Sequence, residues 1–188
     1  MHVHEAILAR RALRVLSDGP LDEDVPFMLA EAARLAPSCF NNQPWRFVLV
    51  QDEPSLSSLK DVLASSNRWA TRAPLIIVVA AKRDDDCKLS DNRDYFLFDC
   101  GLAVGQLVLR AVDLGLIAHP IAGYDPKEVK RVLQIPDEYV VITLVICAHP
   151  GDDHGLLTEK QREAEPKRPE RNPIGEAFFL NEWGRSLS

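Results

Sequence analysis

Hydrophobic spacing divides the chain into helical and extended segments that alternate along its length. Val3–Arg11 reads as a short helix, punctuated by Ser17-Asp18-Gly19-Pro20. A second helix is expected from an N-cap at Asp22 to Ala36, with Phe27, Leu29, Ala30, Ala33 and Leu35 as its apolar content. Pro26 is tolerable in its first turn, where N–H groups lack intrahelical partners, and Pro37 ends it. Trp45–Val50 reads as a strand, and Ser55–Ala64 as a helix with Leu56, Leu59 and Leu63 at helical spacing. Leu75–Ala81 is apolar at every position and rich in β-branched residues, the pattern of a strand buried on both faces. Tyr95–Leu116 is helical and apolar nearly all round, which predicts burial on most sides. Its polar residues Asp99, Gln106, Arg110 and Asp113 draw one stripe. Ile117–Ile121 and Val140–Ala148 read as strands, and Pro126–Leu133 between them as a helix with proline at its start.

From Pro150 to Pro173 the chain turns strongly polar, and such a segment has little core of its own to form. It ends with Phe178-Phe179-Leu180 and Trp183, which need an apolar surface; wrapping over a second subunit would supply one. Gly101-x-x-x-Gly105 lets another backbone approach, either a partner helix or an intramolecular neighbour. The alternation of helices and strands, by itself, predicts a doubly wound parallel α/β fold.

Length changes the picture little: 188 residues suggest one domain with a substantial core. The apolar fraction of 46% with mixed charges reads as globular. A net charge of −6 argues against a general nucleic-acid binder, so the arginines serve local needs. Met1–Arg11 has no signal-like apolar run, and no uninterrupted apolar stretch approaches the roughly 20 residues that span a bilayer. Cys39, Cys87, Cys100 and Cys147 lie far apart, at spacings that suit neither zinc nor a compact disulfide framework. Buried thiols are expected at Cys100 and Cys147, a packing role at Cys39, and a reducing, cytoplasmic setting for the whole. His119 and His149 each end a β-like run before a proline, and no metal-ligand spacing links them.

The chemistry concentrates at Ala36-Pro37-Ser38-Cys39, Asn41-Asn42-Gln43-Pro44-Trp45, a helix-to-strand loop bearing a hydroxyl and three carboxamides. Carboxamides both donate and accept hydrogen bonds, which suits a flat heterocycle with alternating N–H and C=O edges. The plainer reading is a turn in which Ser and Asn bond the local backbone. Upstream lies Arg10-Arg11-Ala12-Leu13-Arg14; downstream come Pro120-Ile121-Ala122-Gly123-Tyr124-Asp125 and Arg171-Asn172-Pro173-Ile174. Two arginines closing a helix could equally complement its dipole, and Gly123 could simply make a turn.

The ordered set of these blocks, spanning most of residues 5–175, resembles the nitroreductase family of FMN-dependent oxidoreductases. That resemblance implies an α+β three-layer fold, a mixed and mainly antiparallel sheet flanked by helices, in an intertwined homodimer. It implies a single domain over residues 1–188, with 150–188 a C-terminal tail extending over the partner. Arg10 and Arg11 would clasp the FMN phosphate, with Ala12 beside them, and Arg171 would return to it from the tail; Lys167 or Arg168 could substitute. Arg14 would face the N1–O2 edge of the flavin, and Asn67 the pyrimidine O2 and N3–H. Pro120, Ile121, Ala122 and Gly123 would lie along the N5–O4 edge. Pro37, Ser38, Cys39, Asn41 and Gln43 would come from the other subunit. No catalytic side chain and no metal is expected.

The activity implied is ping-pong hydride transfer at flavin N5, with FMN tightly bound, NAD(P)H a transient co-substrate and a nitroaromatic, quinone or similar small oxidant as acceptor. Alternatives are a flavin-binding storage or sensing module, or dehydrogenation or dehalogenation on the same fold. Two departures stand out: Ala12 replaces a serine common in relatives, and Ala122 an acidic residue found in some. A hydrogen bond to a charged group contributes roughly 1.5–3 kcal/mol, so the missing hydroxyl would weaken FMN binding about tenfold unless compensated.

Overall fold

The computed structural model describes residues 1–187. Seven helices are assigned: α1 (Val3–Ala9), α2 (Val25–Arg34), α3 (Ser55–Asp61), α4 (Tyr95–Asp113), α5 (Pro126–Leu133), α6 (Glu159–Ala164) and α7 (Ile174–Ala177). Four strands, β1 (Trp45–Val50), β2 (Leu75–Ala81), β3 (Ile117–Ile121) and β4 (Val140–Ala148), form one sheet in the order β1-β2-β4-β3. Every pairing in it is antiparallel. The fold is therefore α+β. Alternation along the chain misled on this point, because the crossovers place strands side by side in opposite sense.

The run of buried residues in β2 has a simple origin. Leu75, Ile77, Val79 and Ala81 point into a core with α2 and α4, including Leu29, Phe96 and Leu107. Ile76 and Val78 point the other way, into a core with Leu56 and Leu59 of α3, Trp69 and Val129 of α5. Two covered faces make three layers. Full burial of such a side chain contributes about 1.5–3 kcal/mol, so the central strand anchors both cores.

Helix α4 departs from expectation. It is buried along one face only, and Leu97, Phe98, Gly101 and Gly105 are exposed. A Cβ added at either glycine meets nothing within 4 Å, so neither is a site of close packing within the chain. Asp99, placed on the polar stripe by its spacing, is buried under the loop that precedes β1. By length and composition α4 is apolar enough to cross a membrane. Its buried face instead belongs to the core shared with α2 and the sheet.

The first part of the polar tail is tied to its own chain by hydrogen bonds. After β4, Leu16 bridges Pro150, Gly151 N–H donates to the Val15 carbonyl at 3.0 Å and Ser17 N–H to His149 at 2.9 Å. Helix α6 is capped by Thr158, and Gln161 donates to the Ser66 carbonyl at 2.8 Å. Residues 150–168 thus pack on their own chain. Beyond them, Ile174, Phe178 and Trp183 are exposed.

Candidate functional site

Helix α1 stops at Ala9, two residues earlier than its hydrophobic spacing suggests, and Arg10 caps it in non-helical conformation. No basic residue stands in its last turn, so Arg10 and Arg11 do not serve the helix dipole. The chain from Arg10 to Val15 is neither helix nor strand, and its backbone groups find partners elsewhere. Glu165 Oε1 accepts from Arg14 N–H at 2.6 Å and from Val15 N–H at 2.9 Å. His119 Nδ1 lies 3.0 Å from the Leu13 carbonyl. A Cβ on Gly151 would stand 2.5 Å from the Leu16 backbone, so glycine is what allows the two segments to cross this closely.

Between this arm and the tail lies a cavity of about 300 Å³, lined by Arg10, Arg11, Ala12, Arg14 and Arg171 together with Glu165. Lys167 and Arg168 complete a set of six cations around one acid. Arg11 donates to the carbonyls of Glu165 and Lys167, at 2.5 and 2.9 Å, and Arg168 to that of Leu8. The Arg14 guanidinium sits 3.9 Å from Glu165 Oε2 and 6.0 Å over the Trp69 ring. Among the described residues no ion pair involves Arg10 or Arg171, so the cavity carries uncompensated positive charge. That arrangement suits a polyanionic group.

Trp69 is buried, and its ring packs on His119 at 4.7 Å between centroids. Burial, above all, holds the His119 pKa below the ordinary imidazole value. Asn67 and Gly123, distant in sequence, meet directly: Asn67 Nδ2 donates to the Gly123 carbonyl at 3.0 Å. A Cβ on Gly123 would come within 2.5 Å of that nitrogen. Glycine is needed here for the approach of Asn67, and the bond leaves Asn67 Oδ1 free to accept from a ligand N–H. Ile121 is buried in β3, while Pro120 and Ala122 are exposed beside it.

Pro37, Ser38, Cys39, Asn41 and Gln43 form a separate group. They precede β1, at the sheet edge opposite β3. Ser38 Oγ accepts from Gln43 N–H at 3.0 Å and Gln43 Nε2 donates to Asn41 carbonyl at 3.2 Å, so within one chain these polar groups stabilise the turn. The turn is strained, with positive φ at Phe40 (47°), Asn41 (59°) and Gln43 (50°). Asp99 holds it through Cys39 N–H at 2.7 Å, and Asn42 donates to Asp86 at 3.3 Å. Burial pushes the Asp99 carboxyl above the ordinary range, the Cys39 N–H opposes this, and Asp86 adds to the rise.

Cys39 and Cys87 are joined as a disulfide, with Cα atoms 6.4 Å apart. This corrects the expected packing role of Cys39. A sequence separation of 48 residues hid the pair. Sequence reasoning also missed Glu165, Trp69 and His119 as the groups that position the arginine arm. Polar tail residues and a buried aromatic pair carry no motif; only the unsatisfied N–H groups of the arm would have called for an acceptor.

A larger groove of about 1140 Å³ runs between α3 and α5, past Asp61, Tyr124, Asp125 and Glu128. Its lining mixes Asp61, Asp125 and Glu128 with Lys127 and Arg131, and none of the arginines of the arm or tail lines it.

A family model described as Nitroreductase family matches residues 7–68 and 59–149. A candidate NADH dehydrogenase/NAD(P)H nitroreductase from Archaeoglobus fulgidus is 33% identical over 162 residues, covering 83% of this chain and 90% of that protein. The FMN reductase [NAD(P)H] of Bacillus subtilis is 24% identical, with 86% of this chain and 71% of the relative covered. A solved structure described as an oxidoreductase containing FMN superposes with a TM-score of 0.84 at 26% identity, over 96% of this chain and 92% of the other.

Proposed function

The chain belongs to the nitroreductase family, and on that premise we propose that it is a homodimeric, FMN-dependent NAD(P)H oxidoreductase. The observation that carries this reading is the cavity between arm and tail, with six cations facing one acid. A phosphate ester fits such a lining, and Lys167 and Arg168 offset the hydroxyl absent at Ala12. Relatives described as an FMN reductase and an oxidoreductase containing FMN support the choice of flavin.

In this reading Arg10, Arg11 and Arg171 hold the phosphate, and Arg14, fixed over Trp69, presents its charge to the N1–O2 edge of the ring. Asn67, oriented by the Gly123 carbonyl, accepts the ring N3–H through Oδ1. Pro120, Ile121, Ala122 and Gly123 border the N5–O4 edge. When bound, FMN supplies hydride acceptance from NAD(P)H and onward transfer to a nitroaromatic, quinone or similar small oxidant in alternating half-reactions. The side chains bind, orient and charge-balance; none is required as nucleophile.

Two copies are favoured by the separation of the two polar groups. Strands β1 and β3 lie on opposite edges of the sheet, about 14 Å apart across three strand spacings. The Ser38–Gln43 turn therefore contributes to the flavin site of the other subunit. Phe40 and Trp183, each 91% exposed, and Phe98 at 56% would then be covered. We further infer one domain over residues 1–188, a cytoplasmic setting, and contact with the partner from residues 174–187 rather than from the whole tail.

The reading is tested by identifying the native chromophore by mass, then adding NADH or NADPH under anaerobic conditions. FMN that bleaches and recovers on addition of a nitroaromatic supports it. Flavin that neither nucleotide reduces would point to storage, sensing or another flavin reaction.

A further inference from the structure

Two cysteines from distant parts of the chain meet where the strained turn before β1 touches the charged loop after β2. Cys39 opens the turn Cys39–Asn41, and Cys87 follows the turn Arg83–Asp85. Cys87 is half-buried in a largely exposed loop, so a small thiol can reach its Sγ even where the turn bearing Cys39 lies against a partner. We infer that Cys39 and Cys87 form a reversible thiol–disulfide site, exchanging with low-molecular-weight thiols, that locks the Ser38–Gln43 turn when oxidised.

The surroundings favour this over a purely structural bridge. Around Cys87 the loop is largely exposed, and apart from the disulfide only buried Asp86 turns inward with it. Asp86 Oδ2 is buried without a hydrogen-bond partner, and Oδ1 lies 3.4 Å from Cys87 Sγ. The exposed loop leaves Cys87 open to an incoming thiol, and exposed disulfides are the labile ones. On the other side of the bridge, the positive φ angles at Phe40, Asn41 and Gln43 cost free energy that surrounding contacts must offset. A covalent link from Cys39 to the next loop restrains this turn. With the link cut, the bonds from Cys39 N–H to Asp99 and from Asn42 to Asp86 remain, so the turn loosens without being lost.

The exchange balances. A thiolate RS⁻ attacks one Sγ; the Cys39–Cys87 bond breaks, and the departing sulfur keeps the electron pair and takes up a proton. A second thiolate cleaves the mixed disulfide, releasing RSSR and the second protein thiol. Two RSH are oxidised, and one protein disulfide is reduced. The same cluster of Cys39, Asp86 and Cys87 holds its ligand atoms within 4.8 Å, a spacing that a divalent ion could also use in the dithiol form. The disulfide present here and a metal on both sulfurs exclude one another.

The effect on flavin rests on the function proposed above; the thiol chemistry does not. The test equilibrates the purified holoprotein across glutathione:glutathione-disulfide ratios, quenches with a maleimide and counts adducts by intact mass. Cys100 and Cys147 are buried, their thiols pushed up to about 12, so native labelling reports Cys39 and Cys87. The expected result is a concerted change of two adducts and a Cys39–Cys87 linked peptide at the oxidised end. FMN release should be at least threefold faster from the reduced protein, and Cys87→Ser should release at the reduced rate at every ratio. Absence of the linked peptide at all ratios overturns the site. Equal FMN release from both forms overturns the lock. A linked peptide that titrates in a protein unable to take up FMN upholds the thiol pair and overturns the flavin reading instead.

Discussion

Glu165 reaches across 151 residues of sequence to Arg14: Oε1 accepts the Arg14 backbone N–H at 2.6 Å, and Oε2 stands 3.9 Å from its guanidinium. One carboxylate thereby fixes the backbone of the arginine arm and leans on its charge. It is also the one acid lining the cationic cavity.

Replacing Glu165 by alanine leaves the N–H groups of Arg14 and Val15 without their acceptor. The expected loss is about 1–3 kcal/mol for each donor that stays buried, seen as a lower thermal midpoint and faster proteolysis of the tail. Glu165→Gln keeps an accepting oxygen and removes a negative charge. It should be less destabilised and should hold FMN more tightly than the alanine variant, measured by flavin fluorescence on dilution.

Arg10 and Arg14 should separate in their effects. Arg10→Ala is expected to give largely colourless protein, because a phosphate-directed cation is lost. Arg14→Ala should retain flavin but lower its reduction potential and slow bleaching by NAD(P)H, since charge that develops at the ring edge loses its partner. Spectroelectrochemical titration distinguishes these. An unchanged potential in flavin-replete Arg14→Ala would remove the role given to that residue.

Two glycine substitutions should differ in kind. Gly151→Ala drives a methyl into the Leu16 backbone, which cannot swing away, so a loss of about 1–3 kcal/mol or more is expected in chemical denaturation. Gly123→Ala meets the end of the Asn67 side chain, which can rotate. Its stability should change less, while FMN affinity falls because the Asn67 carboxamide loses its orientation.

The pH dependence of stability follows from His119. Its folded pKa is held below the unfolded imidazole value of about 6.5, mainly by burial. As pH falls through that range the unfolded chain binds a proton that the folded chain resists. The contribution of His119 is therefore whole above the unfolded value and is lost as pH drops through the lower, folded one. Thermal midpoints should fall between pH 7 and pH 5, and His119→Gln should flatten part of that fall. An identical slope in the variant would assign it to other groups.

Much of the molecule was legible in the linear pattern. The bounds of β1, β2, β3, β4 and α5 agree with their hydrophobic runs, because alternation and proline placement act within a few residues. Where α1 ends was misjudged, since the arm is held by Glu165 and His119, both remote in sequence. The exposure of Phe98 and of the glycines in α4 was invisible for a related reason: composition reports apolarity, and packing decides which apolar face is covered.

The sequence by itself determined which segments are strand or helix, where positive charge gathers near both ends, and which family the ordered blocks resemble. Only the tertiary structure decided the strand order β1-β2-β4-β3, that Arg10–Arg14 and the 164–171 segment enclose one cavity, and that Cys39 meets Cys87. The division has a physical reason. Local patterns encode backbone conformation through sterics and burial period, whereas contacts between residues 48 or 151 positions apart depend on how the layers stack.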